Sequence, residues 1–335
     1  MATQALLTPE DVRRRLAGVY APIAAELAES ERIFAAELGS RYPFVQRLVE
    51  HCGALRGKRL RPALLLLTAQ ACGGIRAEHP VLAAVVEMIH TATLVHDDIL
   101  DEADVRRHAA TINAAWGNET AVLLGDYLFT HAFHLAASLD STLACRLIGR
   151  ATNLVCEGEM MQVHHRGDLT LDEPTYLAIV RGKTAELTAV SCRLGAHYAG
   201  ADEATVTALE AYGRDLGVAF QIADDVLDLW GNEQVAGKTL GTDLEKQKLT
   251  LPLIRLLATA PADRARHLRA LLAEARPAHA NDLRPWLEES GALDYAWKRA
   301  QDFADAALAA LIVLPESPAK DVLRRLAHYV LRRAY

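Results

Sequence analysis

Two hexapeptides carry the same arrangement of acids: His96-Asp97-Asp98-Ile99-Leu100-Asp101 and Ala223-Asp224-Asp225-Val226-Leu227-Asp228. On a helix, Asp97 and Asp101 stand one turn apart on one face, as do Asp224 and Asp228, so each cluster aims at least two carboxylates in one direction. Like charges at that spacing repel by about 0.2–0.5 kcal/mol, and apolar neighbours raise the cost further. A counter-cation resolves the conflict. A single copy is equally well read as a solvated acidic helix end. With aspartate near one residue in twenty, however, a second copy arises by chance in roughly one chain in a hundred of this length. Hard oxygen donors in two groups suit Mg²⁺, which keeps several waters and bridges a few carboxylates to substrate phosphates. The chemistry indicated is metal-assisted departure of a diphosphate, with the ions neutralising charge on the leaving oxygens.

A metal-bound diphosphate is still an anion, and bases flank both clusters. Arg106 and Arg107 follow the first, Lys183-Thr184 sits within a predicted helix, and Gly237-Lys238 follows the second. Upstream, Arg56-Gly57-Lys58-Arg59-Leu60-Arg61-Pro62 gathers bases at a helix entrance and predicts a second phosphate site. Any one of these bases alone is an ordinary solvated cation; their grouping around the acids carries the reading. His90 lies in an apolar stretch and by itself is a satisfied core histidine as readily as a ligand. His164-His165 are expected in a loop and receive no role. No nucleophile–base–acid triad is evident.

The elements that must position these residues are helices. The chain has 335 residues, 51% apolar and 24% charged, a globular composition. Its 43 acids outnumber 36 bases, giving a net charge of −7, so there is no overall cationic field for nucleic acid and any phosphate binding is local. Five cysteines, odd in number and without a C-x-x-C pair, argue against a disulfide framework or a zinc site. The uncharged stretch from Pro62 to Ile75 is shorter than the roughly 20 residues that span a bilayer, and the chain reads as soluble and cytoplasmic, with no transmembrane segment.

Apolar residues recur at three- and four-residue spacing throughout, which predicts an all-α fold with helices over 60–72, 80–102, 119–138, 141–162, 174–199, 203–230, 248–259, 263–275, 292–313 and 319–333. Starts are expected at Thr8-Pro9 and Asp172, and stops at Gly73-Gly74, Gly200 and Gly231-Asn232. The run from Val81 to His96 is apolar nearly all round and predicts a buried helix that ends in the first acid cluster. Residues 258–290 read as a peripheral helical layer of one domain spanning 1–335.

Taken in order, G-K-R-L-R-P at 57–62, H-D-D-I-L-D at 96–101, V-L-L-G-D at 122–126, E-G-E at 157–159, R-G-K-T at 181–184, F-Q-I-A-D-D-V-L-D at 220–228, G-K-T-L-G-T-D-L at 237–244 and L-T-L-P-L-I at 249–254 resemble the trans-type polyprenyl diphosphate synthases. The resemblance implies a helical bundle around one deep central cavity, with the two aspartate helices facing each other across its mouth. It implies that Asp97, Asp101 and Asp224 hold Mg²⁺, three ions bridging an allylic diphosphate, with Asp98, Asp225 and Asp228 supporting them. Arg106, Lys183 and Lys238 then grip that diphosphate; Lys58, Arg61, His90 and Arg107 bind isopentenyl diphosphate; and Thr184 and Gln221 turn oxygen dipoles toward the developing cation. Three positions depart from the usual pattern: Arg56 for a glycine, His108 for a glycine, and Thr242 where a second aspartate is common.

The same resemblance makes Ala92 and Thr93, one turn before the first acids, the upper wall for the growing chain. Small residues there point to a long product, hexaprenyl to decaprenyl, with geranylgeranyl or farnesyl diphosphate as the shorter alternative. A class I terpene cyclase and a non-catalytic partner subunit remain as rival readings. The first does not need Lys58, Arg61 and His90, and the second does not need intact acid clusters. A homodimer built on the apolar surfaces of 119–138 and 141–162 is also implied.

Overall fold

The computed structural model describes residues 18–54, 57–107, 109–230, 241–274 and 279–332. A 3₁₀ turn (Ala21–Ile23) leads into α1 (Ala24–Glu37), α2 (Pro43–Ala54), α3 (Leu60–Ala71) and α4 (Glu78–Leu100). A two-residue antiparallel ladder, β1 (Val105–Arg106) on β2 (Ala109–Ala110), turns the chain into α5 (Ile112–Trp116), α6 (Asn118–Ala137) and α7 (Leu143–His164). Next come α8 (Glu173–Val180), a π-helical turn (Arg181–Ala185), α9 (Glu186–Ala199) and α10 (Glu203–Trp230). The last part holds α11 (Thr242–Glu245), α12 (Leu251–Thr259), α13 (Ala262–Ala273), α14 (His279–Glu289), α15 (Ala292–Ala310), a 3₁₀ turn (Leu311–Val313) and α16 (Pro318–Arg332).

Local chemistry sets these boundaries. Asp172 caps α8 by accepting from Thr175 N at 3.0 Å, and Gly200, at φ 87°, ends α9 in the left-handed region that costs other residues most. Helix α4 is buried on nearly every side, as its apolar run requires, with Leu82, Val85, Val86, Met88 and Ile89 fully covered. Each such side chain contributes roughly 1.5–3 kcal/mol on burial.

The core falls into two clusters. The larger joins α3, α4, α6, α7, α9 and α16 to the first half of α10 through Val206, Leu209, Tyr212 and Leu216. The other gathers α8, α12, α13, α14 and α15 around the second half of α10 through Val218, Ile222, Val226 and Leu229. Helix α10 belongs to both, which fixes the second acid cluster relative to α4 and to α8. No helix among the described residues is long and apolar enough to cross a membrane.

The structure corrects the expected map in four places. Helices α1, α2, α5 and α11 and the β1–β2 ladder were not anticipated. Helix α7 runs through His164, so only His165 begins the turn that had been expected to hold both histidines. The span 174–199 is interrupted by the π turn, which holds Lys183. Helix α12 starts at Leu251 rather than 248, because Thr250 is extended. The expected boundaries at Thr8 and Gly231-Asn232, and residues Arg56, His108 and Lys238, lie outside the described residues.

Candidate active site

The first acid cluster closes α4. Asp101 is its C-terminal cap, with its own N–H bonded to the Asp97 carbonyl at 2.8 Å. Asp98 points inward, 2% exposed, and receives both Nε and a terminal nitrogen of Arg106 at 2.7 Å. Asp101 is gripped from three directions, by Arg166 at 3.2 Å, Lys246 at 3.2 Å and Lys248 at 3.1 Å. Burial works to raise its pKa, but Lys248 and Lys246 outweigh it and hold the carboxyl below its ordinary value. Asp97 is different: burial, reinforced by the like charges of Glu159 and Asp101, pushes it up to about 6 against the pull of Lys183.

Lys183 reaches this cluster because two helices cross without side chains between them. Its ammonium pairs with Glu159 and donates to Gln162 Oε1 at 2.7 Å, both on α7. Gly158 on α7 and Gly182 in the π turn meet at the crossing. A β-carbon on Gly182 would lie 2.8 Å from the Leu154 carbonyl, and one on Gly158 would overlap the Lys183 backbone nitrogen. A π turn at a functional site is a recurring device for re-aiming one side chain. Gly158→Ala is therefore expected to lower stability by about 1–3 kcal/mol through overpacking. Gly149→Ala on the same helix meets only Phe133 at 3.9 Å and should be neutral or slightly stabilising. Urea denaturation of the two variants checks this.

On α10, Asp225 is 4% exposed and uses both carboxylate oxygens: Tyr176 OH donates to one at 2.5 Å and Gln221 Nε2 to the other at 2.7 Å. Thr184 in the π turn donates to Gln221 Oε1 at 2.9 Å. Burial, with Asp243 beside it, pushes the Asp225 pKa well up. Asp228, 1% exposed, caps the start of α11, accepting from Thr242 Oγ1 and Asp243 N, each at 3.0 Å. This accounts for Thr242: a hydroxyl donates to Asp228 where a second carboxylate would repel it. The capped turn leads directly to Lys246 and Lys248, so Asp228 helps place the bases that hold Asp101 across the site. A cavity of about 90 Å³ opens beside the second cluster, lined by Tyr176, Lys183, Thr184, Gln221, Asp225 and Lys248 among others.

A separate basic pocket opens on the other side of α4. The charges of Arg61, Arg107, Arg106 and Arg59 surround His90 and, after burial itself, hold it well below its ordinary pKa. Arg59 is neutralised by Glu31 at 3.1 Å and by Glu87, and Arg106 by Asp98. Arg61 is not: its Nε is buried and finds no hydrogen-bond partner among the described residues. Burial lowers its pKa, while Glu87 and Asp97 pull the other way. Arg59 and Arg107 sit at φ 53° and 52°, a left-handed conformation that non-glycine residues adopt at a cost and that gathers at binding sites. Lys58 is exposed and lies 5.8 Å from the ring of Tyr329 on α16.

The donor chemistry fits Mg²⁺ and not a soft metal, since the two clusters offer carboxylate oxygens. Among the described residues no three His, Cys, Asp or Glu side chains close around a common point, so an ion held here has to be completed by oxygens of the substrate and water. Asp97, driven up to about 6 by burial and acidic neighbours, is a carboxyl whose charge a nearby dication would stabilise.

Comparison with known proteins adds to this geometry. The polyprenyl synthetase family matches residues 42–289. This chain belongs to that family. It is 37% identical over 300 residues to the octaprenyl diphosphate synthase of Escherichia coli (strain K12), covering 89% of this chain and 92% of that protein. Among solved structures, a decaprenyl diphosphate synthase from Rhodobacter capsulatus superposes with a TM-score of 0.90 at 34% identity, covering 96% of this chain and 99% of the other. A polyprenyl synthase from Caulobacter crescentus CB15, complexed with calcium and isoprenyl diphosphate, gives a TM-score of 0.90 at 36% identity, covering 96% and 98%. The all-α isoprenoid synthase fold and the prenyltransferase class are thereby settled. For this polyprenyl synthetase, sequence reasoning named Arg59 only as one of the bases at the helix entrance and missed Glu159, Gln162, Arg166, Tyr176, Lys246 and Lys248. Glu159, Lys246 and Lys248 lie within or beside the quoted motifs, and Gln162, Arg166 and Tyr176 carry no local signal.

Proposed function

We propose that this polyprenyl synthetase condenses isopentenyl diphosphate with an allylic diphosphate to build a long all-trans polyprenyl diphosphate, in the hexaprenyl to decaprenyl range. The observation that carries the reading is the pair of acid clusters joined through Lys183 and Lys248, next to a separate arginine pocket. That is one site for a metal-bound leaving group and another for a second anion. A class I cyclase has no use for the second pocket, and a non-catalytic subunit has no use for the first.

Asp97, Asp101 and Asp224 would hold Mg²⁺, three ions in all, with Asp98, Asp225 and Asp228 backing them through Arg106, Tyr176 and Thr242. When bound, the ions neutralise charge developing on the departing diphosphate. Arg106, Lys183 and Lys238, joined by Lys246 and Lys248, orient the allylic diphosphate. Thr184 and Gln221 face the carbon that becomes cationic. Lys58, Arg61, His90 and Arg107 place isopentenyl diphosphate so that its double bond meets that carbon, which is worth several kcal/mol in lost freedom. The proton then leaves to the released diphosphate, and no side-chain nucleophile takes part. The test is incorporation of labelled isopentenyl diphosphate with geranyl, farnesyl or geranylgeranyl diphosphate as primer. Metal-dependent elongation supports the reading; no incorporation with any primer overturns it.

For product length, Ala92 is fully buried and the Thr93 hydroxyl is spent on the His90 carbonyl at 2.8 Å. Below them Val85, Met88 and Ile89 touch no space large enough for water. A growing tail must therefore displace side chains, and a methyl at 92 with a flexible Met88 makes that cheapest. Ala92→Phe is expected to shorten the main product by at least two isoprene units, read by sizing the dephosphorylated prenols. An unchanged distribution would place the tail elsewhere.

The exposed Val122 and Leu123 on α6, with Met160, Met161 and Val163 on α7, support a homodimer on these helices. Gel filtration showing only monomer would contradict it. We read 1–335 as one domain with 258–290 peripheral, and the protein as cytoplasmic.

A further inference from the structure

We propose that Tyr176 is a positioning residue for the ionisation step: through Asp225 it fixes which end of the Gln221 amide faces the reacting carbon. The inference rests on the prenyl-transfer reading above and concerns a residue with no place in the acid or base motifs. Its hydroxyl donates to Asp225 Oδ2 at 2.5 Å, and Gln221 Nε2 donates to Asp225 Oδ1 at 2.7 Å. Both contacts spend donors on Asp225, so the Gln221 NH₂ turns to Asp225 and its carbonyl turns away, toward Thr184. That carbonyl accepts from Thr184 Oγ1 at 2.9 Å, at the wall of the cavity shared with Lys183 and Lys248. The reversed amide would aim its positive end at the place where an allylic cation forms, so orientation here has a sign as well as a strength.

Tyr176 is the only part of this chain of contacts that comes from outside α10 and the π turn, and it is rigidly held. The ring is 5% exposed in the second core cluster. Its helix, α8, is capped by Asp172 and tied to α15, where Tyr295 OH and Arg299 Nε donate to Glu173 at 2.6 and 2.9 Å. Without the tyrosine hydroxyl, Asp225 Oδ2 loses its donor, the carboxylate can rotate, and Gln221 is no longer fixed.

The experiment is a double-mutant cycle on kcat and KM with Tyr176→Phe and Gln221→Ala. Phenylalanine keeps the ring and hence the packing. The expected result is a roughly tenfold loss of kcat in Tyr176→Phe, with KM for both diphosphates within about twofold, and less than about a twofold further loss when the change is made in Gln221→Ala. An unchanged kcat in the single variant overturns the proposal, as does an equal loss in both backgrounds, which would mean that the tyrosine does not act through the amide. Wild-type protein that adds no isopentenyl unit would instead remove the proposed reaction, and this inference with it.

Discussion

Asp97→Asn should lower kcat for isopentenyl incorporation by about a thousandfold, equivalent to about 4 kcal/mol of transition-state stabilisation, while leaving KM for isopentenyl diphosphate within a few-fold of wild type. The asymmetry follows from the geometry. Asp97 faces Lys183, Glu159 and Asp101, and burial has already raised it to about 6; it is a carboxyl that bears its charge at a cost until a cation arrives. An amide keeps the shape and the burial but offers no charge to a metal-bound diphosphate. Steady-state kinetics at saturating Mg²⁺ checks this. Activity within tenfold of wild type would mean that Asp97 is a buried structural acid and that the leaving group is held elsewhere.

Arg61→Ala is expected to act on the other substrate. Arg61 is half-buried, its Nε is enclosed with no partner among the described residues, and it faces His90 together with Arg59, Arg106 and Arg107. A cation left this incompletely paired is poised for an anion. Its removal should raise KM for isopentenyl diphosphate by about a hundredfold, about 2.7 kcal/mol, with KM for the allylic primer within about threefold. Arg61→Lys should recover only part of the loss, because an ammonium cannot present two parallel donors to one phosphate. A primer KM that rises equally would show that the two pockets are one.

What the sequence made legible was whatever depends on spacing within one helix. The i, i+4 acids, the buried run before Asp97, the Asp172 cap and the Gly200 stop all follow from 3.6-residue periodicity and single-residue conformational preference. The bases that hold Asp101 were harder, because Lys248 is 147 positions away and nothing local says that two segments so far apart converge. The same holds for Tyr176 and Asp225. Gly158 and Gly182 stood in quoted motifs, but their purpose is a close crossing between elements, invisible until both are placed. Helix α1 fully buries only Ser30, and its stripe is thin, with Leu27 and Phe34 packed half-buried against the core. Helix α2 carries a fuller stripe in Val45, Leu48, Val49 and Cys52, legible from its three- and four-residue spacing. Thr242 looked like a departure of uncertain effect until the Asp228 cap gave its hydroxyl a partner.

The central claim is that the paired acid clusters and the arginine pocket add isopentenyl units repeatedly and that the tail passes Ala92. Its most direct test is the size of the longest prenol made by the wild-type protein from farnesyl diphosphate, excess isopentenyl diphosphate and Mg²⁺. The account predicts a ladder ending between hexaprenol and decaprenol that disappears when the metal is chelated. A ladder that ends at geranylgeraniol, or a cyclic product in its place, would contradict it.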